Sequence, residues 1–283
     1  AVRDMDKAES QARARFAALV ARPAIPLAEA ALAVAEEEYP RLDAAAYLAE
    51  LDRLGDRVGR CLGPSSPPRV VLDAMKAVLF REEGFRGNEA DYYDPRNSFL
   101  NEVLDRRLGI PITLSILYVE VARRVGLELL GVGFPGHFLV KSPAVGPTPD
   151  LFIDPFNGGD VLAATECVAR FQAVLKGREF DPSFLDPVDT RHILLRLLHN
   201  LKKIYVEKAD DVRALWVIDR LLLVQPDSLE ERRDRGLLSA RLGGTRAAVK
   251  DLEAYLAGAP QASDAKEVAS LLSDLKRRTS WLN

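Results

Sequence analysis

The segment IPITLSILYVEVARRVG, from Ile110 to Gly126, carries apolar residues on almost every face of the helix that it predicts. Pro111 suits the first turn of that helix, since proline has no amide hydrogen and its φ is already fixed. Gly126 marks the end of the helix. A helix that is apolar all round must be buried on most sides, so we expect this one to be the central helix of a domain.

The segments after this helix predict strands. LELLGVGFPGHFLVKS and DLFIDPFNGG are rich in Val, Ile, Leu and Phe, and the turn-forming PAVGPTP separates them, which indicates a β-hairpin. Before the helix, residues 1 to about 84 show helical patterns closed by Gly or Pro, and residues 85–97 have the composition of a structured loop. SFLNEVLDRRLG then predicts a short helix that stops at Gly109.

The C-terminal part of the chain is helical and contains an internal repeat. Pro226 and Pro260 are 34 residues apart, and the same spacing separates three further pairs: Ala214 and Ala248, Ile218 and Leu252, and Leu222 and Leu256. This is the tetratricopeptide period, in which each unit is a pair of helices. Two units cannot bury their apolar faces alone, so the segment AKEVASLLSDLKRR is predicted to cap them. The alternative is a set of ordinary helices with a chance spacing.

The charge balance and the distribution of apolar residues argue against nucleic-acid and membrane partners. With 39 basic and 42 acidic residues the chain has no basic field for a phosphate backbone, so no nucleic-acid partner is expected. The N-terminal AVRDMDKAESQARARF lacks the apolar core of a signal peptide, and no apolar run reaches the length of a membrane span. We therefore expect a soluble cytoplasmic protein without a membrane partner.

The cysteines and histidines give no sign of a metal centre. Cys61 and Cys167 lie far apart, each in helix-like surroundings where a cysteine is usually a small buried apolar residue, which argues against a disulfide scaffold or structural zinc. His192 and His199 share a helical face without a carboxylate or cysteine at ligand spacing, and we predict packing or polar contacts for them. No metal and no cofactor are expected.

The order of helix start, histidine and aspartate predicts a site. The central helix begins at Gly109-Ile110-Pro111, His137 follows on the next predicted strand, and Asp154 lies on the strand after that. In papain-like and transglutaminase-like enzymes a helix N-terminus and an imidazole lower the pKa of a cysteine thiol, and a carboxylate orients the ring. The thiol is missing here. Two hypotheses stay open for His137 and Asp154: a binding or catalytic pair, or a packed pair that pins two strands together.

Long stretches of the chain resemble a known family. The run YYDPRNSFLNEVLDRRLGIPITLSILYVEVARRVGLELLGVGFPGHFLVK, continued by LFIDPFNGG, closely resembles the bacterial SirB family, and LLRLLHNLKKIY with RDRGLLSARLGGTRAAVKDLEAYLAGAP is similar to the C-terminal half of that family. The resemblance implies an α+β protein with a helical N-terminal region and a transglutaminase-like (papain-like) core that contains a small antiparallel sheet. An all-α tetratricopeptide-like domain follows. We assign these two parts to residues 1–185 and 186–283.

The resemblance also implies roles for individual residues. Gly109-Ile110-Pro111 falls on the Gly-x-Cys run that opens the central helix of active transglutaminase-like enzymes, so Pro111 takes the place of the nucleophile. His137 matches the family's histidine and Asp154 its aspartate. Because a proline cannot attack a carbonyl, this departure argues against cysteine-type chemistry.

Other polar residues near the helix start are weaker candidates. Ser115 lies one turn after Pro111 and is the weak candidate for a replacement nucleophile, although a hydroxyl bonded back to a carbonyl of the preceding turn is the more ordinary arrangement. The loop before the helix supplies polar and aromatic groups that line a binding cleft or, alternatively, cap and cover the helix start. These candidate binding residues are Tyr92, Tyr93, Asp94, Asn97 and Asn101.

Three functions are compatible with these features. The leading hypothesis is a transglutaminase-like fold without its nucleophile, which acts as a protein-interaction or regulatory scaffold and holds a protein or peptide partner through the C-terminal repeats. The second is a hydrolase or acyl-transfer enzyme that uses His137 and Asp154 with a non-cysteine nucleophile such as Ser115. The third is a sensor that binds a small molecule or peptide through His137 and Asp154.

Overall fold

The computed structural model describes residues 2–146 and 148–280, with side chains described from residue 11 to residue 278 apart from position 147. The chain divides into two compact units, Ala1–Leu197 and Leu198–Asn283. The division falls inside helix α8, Thr190–Glu207, beyond the predicted border between residues 185 and 186. It does so because Pro187–Val188 form a strand of the first unit's sheet. None of the described helices is long and apolar enough to cross a membrane.

The first unit is built mainly from helices that precede and surround a small sheet. Its helices before α8 are α1 (Val2–Val20), α2 (Leu27–Ala35), α3 (Ala44–Gly59), α4 (Pro68–Met75, continued as a π-helix over Lys76–Glu82), α5 (Leu100–Arg106), α6 (Pro111–Arg124) and α7 (Ala164–Val174). Its strands are β1 (Arg86–Gly87), β2 (Leu108–Gly109), β3 (Leu130–Val132), β4 (Leu139–Ser142), β5 (Leu151–Asp154), β6 (Asp160–Leu162) and β7 (Pro187–Val188).

The predicted central helix is α6, and it is buried on most of its faces. Pro111 occupies its first turn, as expected. The hydroxyl of Thr113 accepts a hydrogen bond from the amide of Ile110 at 3.1 Å, which satisfies a donor at the helix start. The helix contacts β3, β4 and the 3-10 turn Pro155–Asn157, so it positions both predicted site segments.

The end of α5 differs from the prediction. The helix stops at Arg106, and Arg107, with φ 61°, adopts the left-handed conformation that was expected of a glycine at the helix end. The guanidinium of Arg107 bonds to Glu50 and Glu83 and lies over the ring of Phe85. These contacts hold a backbone conformation that an arginine rarely adopts. Gly109 instead belongs to β2, which pairs in parallel with β1.

The predicted hairpin is present within a five-stranded antiparallel sheet of order β6-β5-β4-β3-β7. One face packs against α7 through a cluster that includes Val132, Phe152 and Phe171. The other face carries Val140 and Ile153, which are fully buried. His137 lies in the loop before β4 and not on the strand as predicted, because Pro135 and Gly136, with φ +72° at the glycine, form a turn between the two strands.

The second unit confirms the repeat. Its helices after α8 are α9 (Asp211–Val224), α10 (Leu229–Arg241), α11 (Thr245–Gly258) and α12 (Ala265–Ser280). The first and last residues of α9 and α11 are each 34 positions apart, as the tetratricopeptide period requires. The equivalent residues Ala214 and Ala248 are both fully buried. Helix α12 packs on this core through Val268, Leu272 and Leu275, so it is the predicted cap.

One glycine sets the spacing between α10 and α11. A Cβ atom at Gly236 would lie 2.7 Å from Cδ2 of Leu252, whereas a Cβ atom at Gly59, at the end of α3, would meet nothing within 4 Å. We expect Gly236→Ala to lower the free energy of unfolding by about 1–2 kcal/mol, because overpacking outweighs the better helix propensity of alanine. Gly59→Ala, the control, should leave it unchanged or raise it. Urea unfolding measures both, and equal effects would contradict the proposed packing.

Candidate functional site

The structure brings His137 and Asp154 together. The imidazole Nε2 lies 2.8 Å from Oδ1 of Asp154. A carboxylate can only accept, so Nε2 carries the proton in this bond and the ring is held in one orientation. The other nitrogen, Nδ1, has no hydrogen-bond partner among the described residues. Because the His137 side chain is 23% exposed, the pair is not sealed in apolar packing.

Asp154 is the last residue of β5, and its side chain is 1% exposed. Besides His137, its carboxylate accepts hydrogen bonds from the amide of Asn157 at 3.2 Å, from Nδ2 of Asn157 at 2.7 Å and from the Arg170 guanidinium at 2.8 Å. Burial by itself would raise the pKa of this carboxyl. The hydrogen bonds and charge of His137 and the bonds from Asn157 outweigh that effect and hold the pKa below its ordinary value, so Asp154 is an anion at neutral pH.

An aromatic ring lies beside the imidazole, and an arginine bonds to the backbone of His137. The ring of Phe156 lies edge-on, 5.9 Å from the His137 ring centroid, and 6.0 Å from that of Tyr92. Arg196, near the start of α8, donates a long hydrogen bond of 3.5 Å to the carbonyl of His137. Tyr93 packs against Tyr92 and is about half exposed. Of the five predicted loop residues, Tyr92 is linked to the His137 ring through Phe156, and Tyr93 only through Tyr92.

Two other loop residues hold the loop itself. The buried Asn97 amide donates to the carbonyl of Asp91 at 2.7 Å and accepts from Asn88 at 3.0 Å. The buried Asp94 accepts from the amide of Arg96, and ion pairs with Arg96 and Arg106 help to hold the pKa of its carboxyl below the ordinary value, although burial alone would raise it. These bonds correspond to the capping alternative. Asn97 and Asp94 are buried and bonded within the loop, so their side chains stabilise its conformation.

Asn101 lies apart from this pair. It is on α5 and lines a different cleft together with Tyr39 and Tyr47. Its side-chain oxygen Oδ1 has no hydrogen-bond partner in the described part of the chain. The sequence grouped Asn101 with the tyrosines because they are close along the chain, but the turn of α5 directs it elsewhere.

The hydroxyl groups in the first turns of α6, on Thr113 and Ser115, make no hydrogen bond to His137 in the described structure. Pro111 is buried at the first helical position. Ser115 is 1% exposed, and its hydroxyl has no hydrogen-bond partner in the described structure, neither His137 nor the carbonyl of the preceding turn. Cys61 is exposed just after the end of α3, so the expectation of a buried apolar residue is wrong for this cysteine. Cys167 is buried in α7, where burial raises the pKa of its thiol to about 11, so it is a protonated thiol at neutral pH.

Several site residues were not predicted from the sequence. Phe156 and Asn157 belong to the motif FIDPFNGG. The aspartate followed by Pro155 in this motif is typical of a capped turn, and the Asp154 side chain does cap the turn Pro155–Asn157. Arg170 and Arg196 gave no signal, since they come from separate helices that only the fold brings to the pair.

The remaining histidines make polar contacts with acids. His192 bonds to Asp189 at 2.7 Å and His199 to Glu231 at 3.1 Å. Across the residues whose placement is described, no group of three or more histidine, cysteine, aspartate or glutamate side chains has the geometry to hold a metal ion.

Comparison with known proteins supports both parts of the fold. The family described as the transglutaminase-like superfamily matches residues 45–199, and the tetratricopeptide repeat matches residues 201–273. A UPF0162 protein of Xylella fastidiosa is 40% identical over 89% of this chain and 90% of its own length. One from Vibrio cholerae is 31% identical over 84% and 87%. The predicted core and repeats are confirmed, whereas the SirB assignment stays a prediction.

A longer protein is similar to part of this chain. Human F-box only protein 21 is 36% identical over 181 residues, which cover 61% of this chain and 27% of the human protein. No solved structure matches the chain significantly.

The Asp154 carboxylate should determine part of the acid sensitivity of the first unit. At pH 7, Asp154→Asn is expected to lower the free energy of unfolding by about 2 kcal/mol, because it weakens charged hydrogen bonds in a buried site. The folded-state pKa lies below the ordinary 3.8, so this stabilisation is complete above the unfolded-state pKa and is lost as the pH falls through the folded value. Urea unfolding from pH 7 to pH 3 measures it.

The control is Asp150→Asn, which removes a 40%-exposed carboxylate bonded to Lys141. Its effect should be below about 0.5 kcal/mol at pH 7. The difference between wild type and Asp154→Asn should stay constant from pH 7 to about pH 5 and shrink at lower pH. Equal losses for the two variants would contradict a structural role of the Asp154 anion.

Proposed function

Because the chain belongs to the transglutaminase-like superfamily and to the UPF0162 proteins, we propose that it is a non-catalytic member that acts as a protein-interaction or regulatory scaffold. The observation that carries this proposal is the pairing of an assembled His137 and Asp154 with a proline at the first position of α6. The ring that would activate a nucleophile is present and oriented. Pro111 has neither a thiol nor a hydroxyl to be activated.

The other nucleophilic side chains do not supply a substitute. Ser115 is buried without a bond to the imidazole, and Cys167 is a buried, protonated thiol. Cys61 is exposed, and its thiol donates a weak hydrogen bond to the carbonyl of Arg57 at 3.6 Å. A nucleophile needs hydrogen-bond contact with its base, or a single intervening water, to be activated. These environments argue against the hydrolase alternative.

The surroundings of His137 are suited to binding. Nδ1 is free to bond to a ligand, the Arg196 guanidinium has donors beyond its one long bond, and Tyr92 and Phe156 supply apolar surface. This combination favours a small-molecule or peptide sensor as the second candidate. Such binding is compatible with the scaffold function, since it needs no nucleophile.

The repeats provide a surface for a protein partner. Among the described residues of the second unit, three large apolar side chains are exposed: Val206, Val212 and Leu242, with 49%, 65% and 44% of their surface accessible. Val212 follows Asp211 on α9, Leu242 follows Arg241 at the end of α10, and Asp211 and Arg241 form an ion pair of 2.8 Å. Exposed apolar groups rimmed by charges are typical of interaction sites.

Covalent probes test the absence of catalysis. We expect a fluorophosphonate probe to leave the protein unlabelled and a chloroacetamide probe to modify Cys61 alone. The reason is that the Ser115 hydroxyl and the Cys167 thiol are buried and have no base beside them in the described structure. Peptide mapping by mass spectrometry identifies the labelled residues. Labelling of Ser115 or Cys167 that His137→Ala abolishes would overturn the proposal.

Restoring a nucleophile provides the matched positive control. Pro111→Cys, made together with Cys61→Ser, places a thiol at the N-terminus of α6, where the helix dipole favours a thiolate. This variant should react with chloroacetamide at neutral pH several times faster than the same variant carrying His137→Ala. Equal rates would show that position 111 does not face the imidazole.

Affinity capture tests the repeat surface. The immobilised protein should enrich a partner from a lysate of cells that express it, and the double variant Val212→Asp, Leu242→Asp should lose that partner because charge disrupts an apolar contact. His137→Ala and the matched surface variant Val174→Asp, at a valine that is 75% exposed on α7, should retain it. Quantitative mass spectrometry measures the enrichment. Retention by the double variant would exclude this surface.

A further inference from the structure

A second cleft in the first unit lies between α3, α5 and the segment that joins α2 to α3. Its volume is about 800 Å³. The walls combine apolar, aromatic and charged groups, among them Tyr39, Leu42, Tyr47, Asn101, Leu104 and Asp105. His137 and Asp154 are not among the lining residues, so this cleft is distinct from the site around that pair.

The side-chain oxygen of Asn101 is a buried acceptor of this cleft that no group of the described chain satisfies. The residue is 4% exposed, and its Oδ1 has no hydrogen-bond partner among the described residues. A buried amide without a partner is unfavourable, and native structures contain few of them. Asn97, one turn earlier, shows the usual arrangement, with its amide bonded on both sides. The unused hydrogen-bonding capacity of Asn101 therefore indicates a group that arrives from outside the chain.

The charges of the cleft are unbalanced towards acceptors. Asp43 and Asp105 line it, and neither has a cationic side chain within ion-pair distance in the described structure. Tyr47 donates its hydroxyl to Oδ2 of Asp105 at 2.7 Å, and burial with this bond raises the pKa of Tyr47 to about 12, so it remains a donor. Two cations line the same cleft: Arg107, which bonds to Glu50 and Glu83 through Nη2 while its Nη1 has no partner in the described structure, and Arg41. Together with Glu38 and Glu50, the two aspartates still outnumber them. The second oxygen of Asp105 is left to accept from a ligand.

We propose that this cleft binds an arginine-bearing peptide segment of a protein partner. A guanidinium presents five donors in a planar fork, which suits the Asp105 carboxylate and the Asn101 carbonyl together. The terminal torsion of an asparagine is soft, so its oxygen turns towards a donor at little cost. The rings of Tyr39 and Tyr47 offer faces on which a guanidinium stacks. Leu42 and Leu104 cover the aliphatic stem of the side chain.

This inference goes beyond the scaffold function, because it uses neither His137 nor the repeats. The probe is a fluorescein-labelled peptide, Gly-Ala-Arg-Ala-Arg-Ala-Gly, titrated with the full chain and followed by fluorescence anisotropy. We expect saturable binding that weakens as salt is added. The same peptide with glutamate in place of arginine should not bind.

Two variants locate the peptide. Asp105→Asn keeps an acceptor for Tyr47 and removes the charge, and it should weaken binding by about fivefold or more, the order expected for one charge-assisted hydrogen bond. Asp73→Asn removes the same charge from an exposed pair with Arg69 on α4 and should change binding by less than about twofold. Equal weakening by both variants would mean a diffuse electrostatic effect and would overturn the proposal.

Asn101→Leu separates binding from folding. The wild-type oxygen has no partner in the chain, so this variant should weaken peptide binding while its melting temperature equals or exceeds that of the wild type. A large fall in melting temperature would show that Asn101 serves the fold, and the proposal would fail. No binding of the arginine peptide by the wild type, or binding unchanged in Asn101→Leu, would likewise overturn it. His137→Ala should bind the peptide as the wild type does.

Discussion

The buried carboxylate of Asp154 is the interaction on which the rest of the first unit depends. A charge at a position that is 1% exposed is stable only when its oxygens are bonded, and here four donors from three side chains and one amide meet it. Those donors come from the loop before β4, the turn after β5 and helix α7. One anion thus joins elements that are separate in the chain, and the imidazole of His137 is oriented as part of the same arrangement.

This arrangement accounts for an oriented pair of His137 and Asp154 by the stability of the buried anion alone. The bonds that would prepare His137 to act as a base are the bonds that stabilise the buried anion. The contacts of the anion do not involve Pro111, which stands at the first position of α6, where the resemblance to transglutaminase-like enzymes predicts a thiol. The geometry of the pair is therefore evidence for the fold. Nucleophilic catalysis would depend on a reactive group beside the imidazole, which Pro111 does not provide.

The proposed functions use separate parts of the molecule. The repeat unit exposes Val212 and Leu242 and carries the proposed interaction surface. The imidazole with Arg196 and Phe156 forms one candidate ligand site, and the cleft lined by Asn101 and Asp105 forms another. Each proposed site rests on a different observation. In the described part of the chain, the repeat surface rests on exposed apolar area, the His137 site on a ring nitrogen without a partner, and the second cleft on a buried amide without a partner beside a carboxylate without an ion pair. Because the sites share no side chain, their failure or success in experiment is independent.

Much of the architecture was determined by the sequence alone, because it rests on local and periodic signals. The all-round apolar pattern from Ile110 predicted the central helix, the 34-residue spacing predicted α9 and α11, and the order of Pro111, His137 and Asp154 predicted the pair. Only the tertiary structure decided which distant groups meet. Arg170 and Arg196 reach the pair from separate helices, Arg107 holds a left-handed conformation through contacts with Glu50 and Glu83, and Asn101 faces another cleft than Tyr92. Periodicity and capping act over a few residues, whereas hydrogen bonds between distant elements depend on packing that the local sequence does not encode.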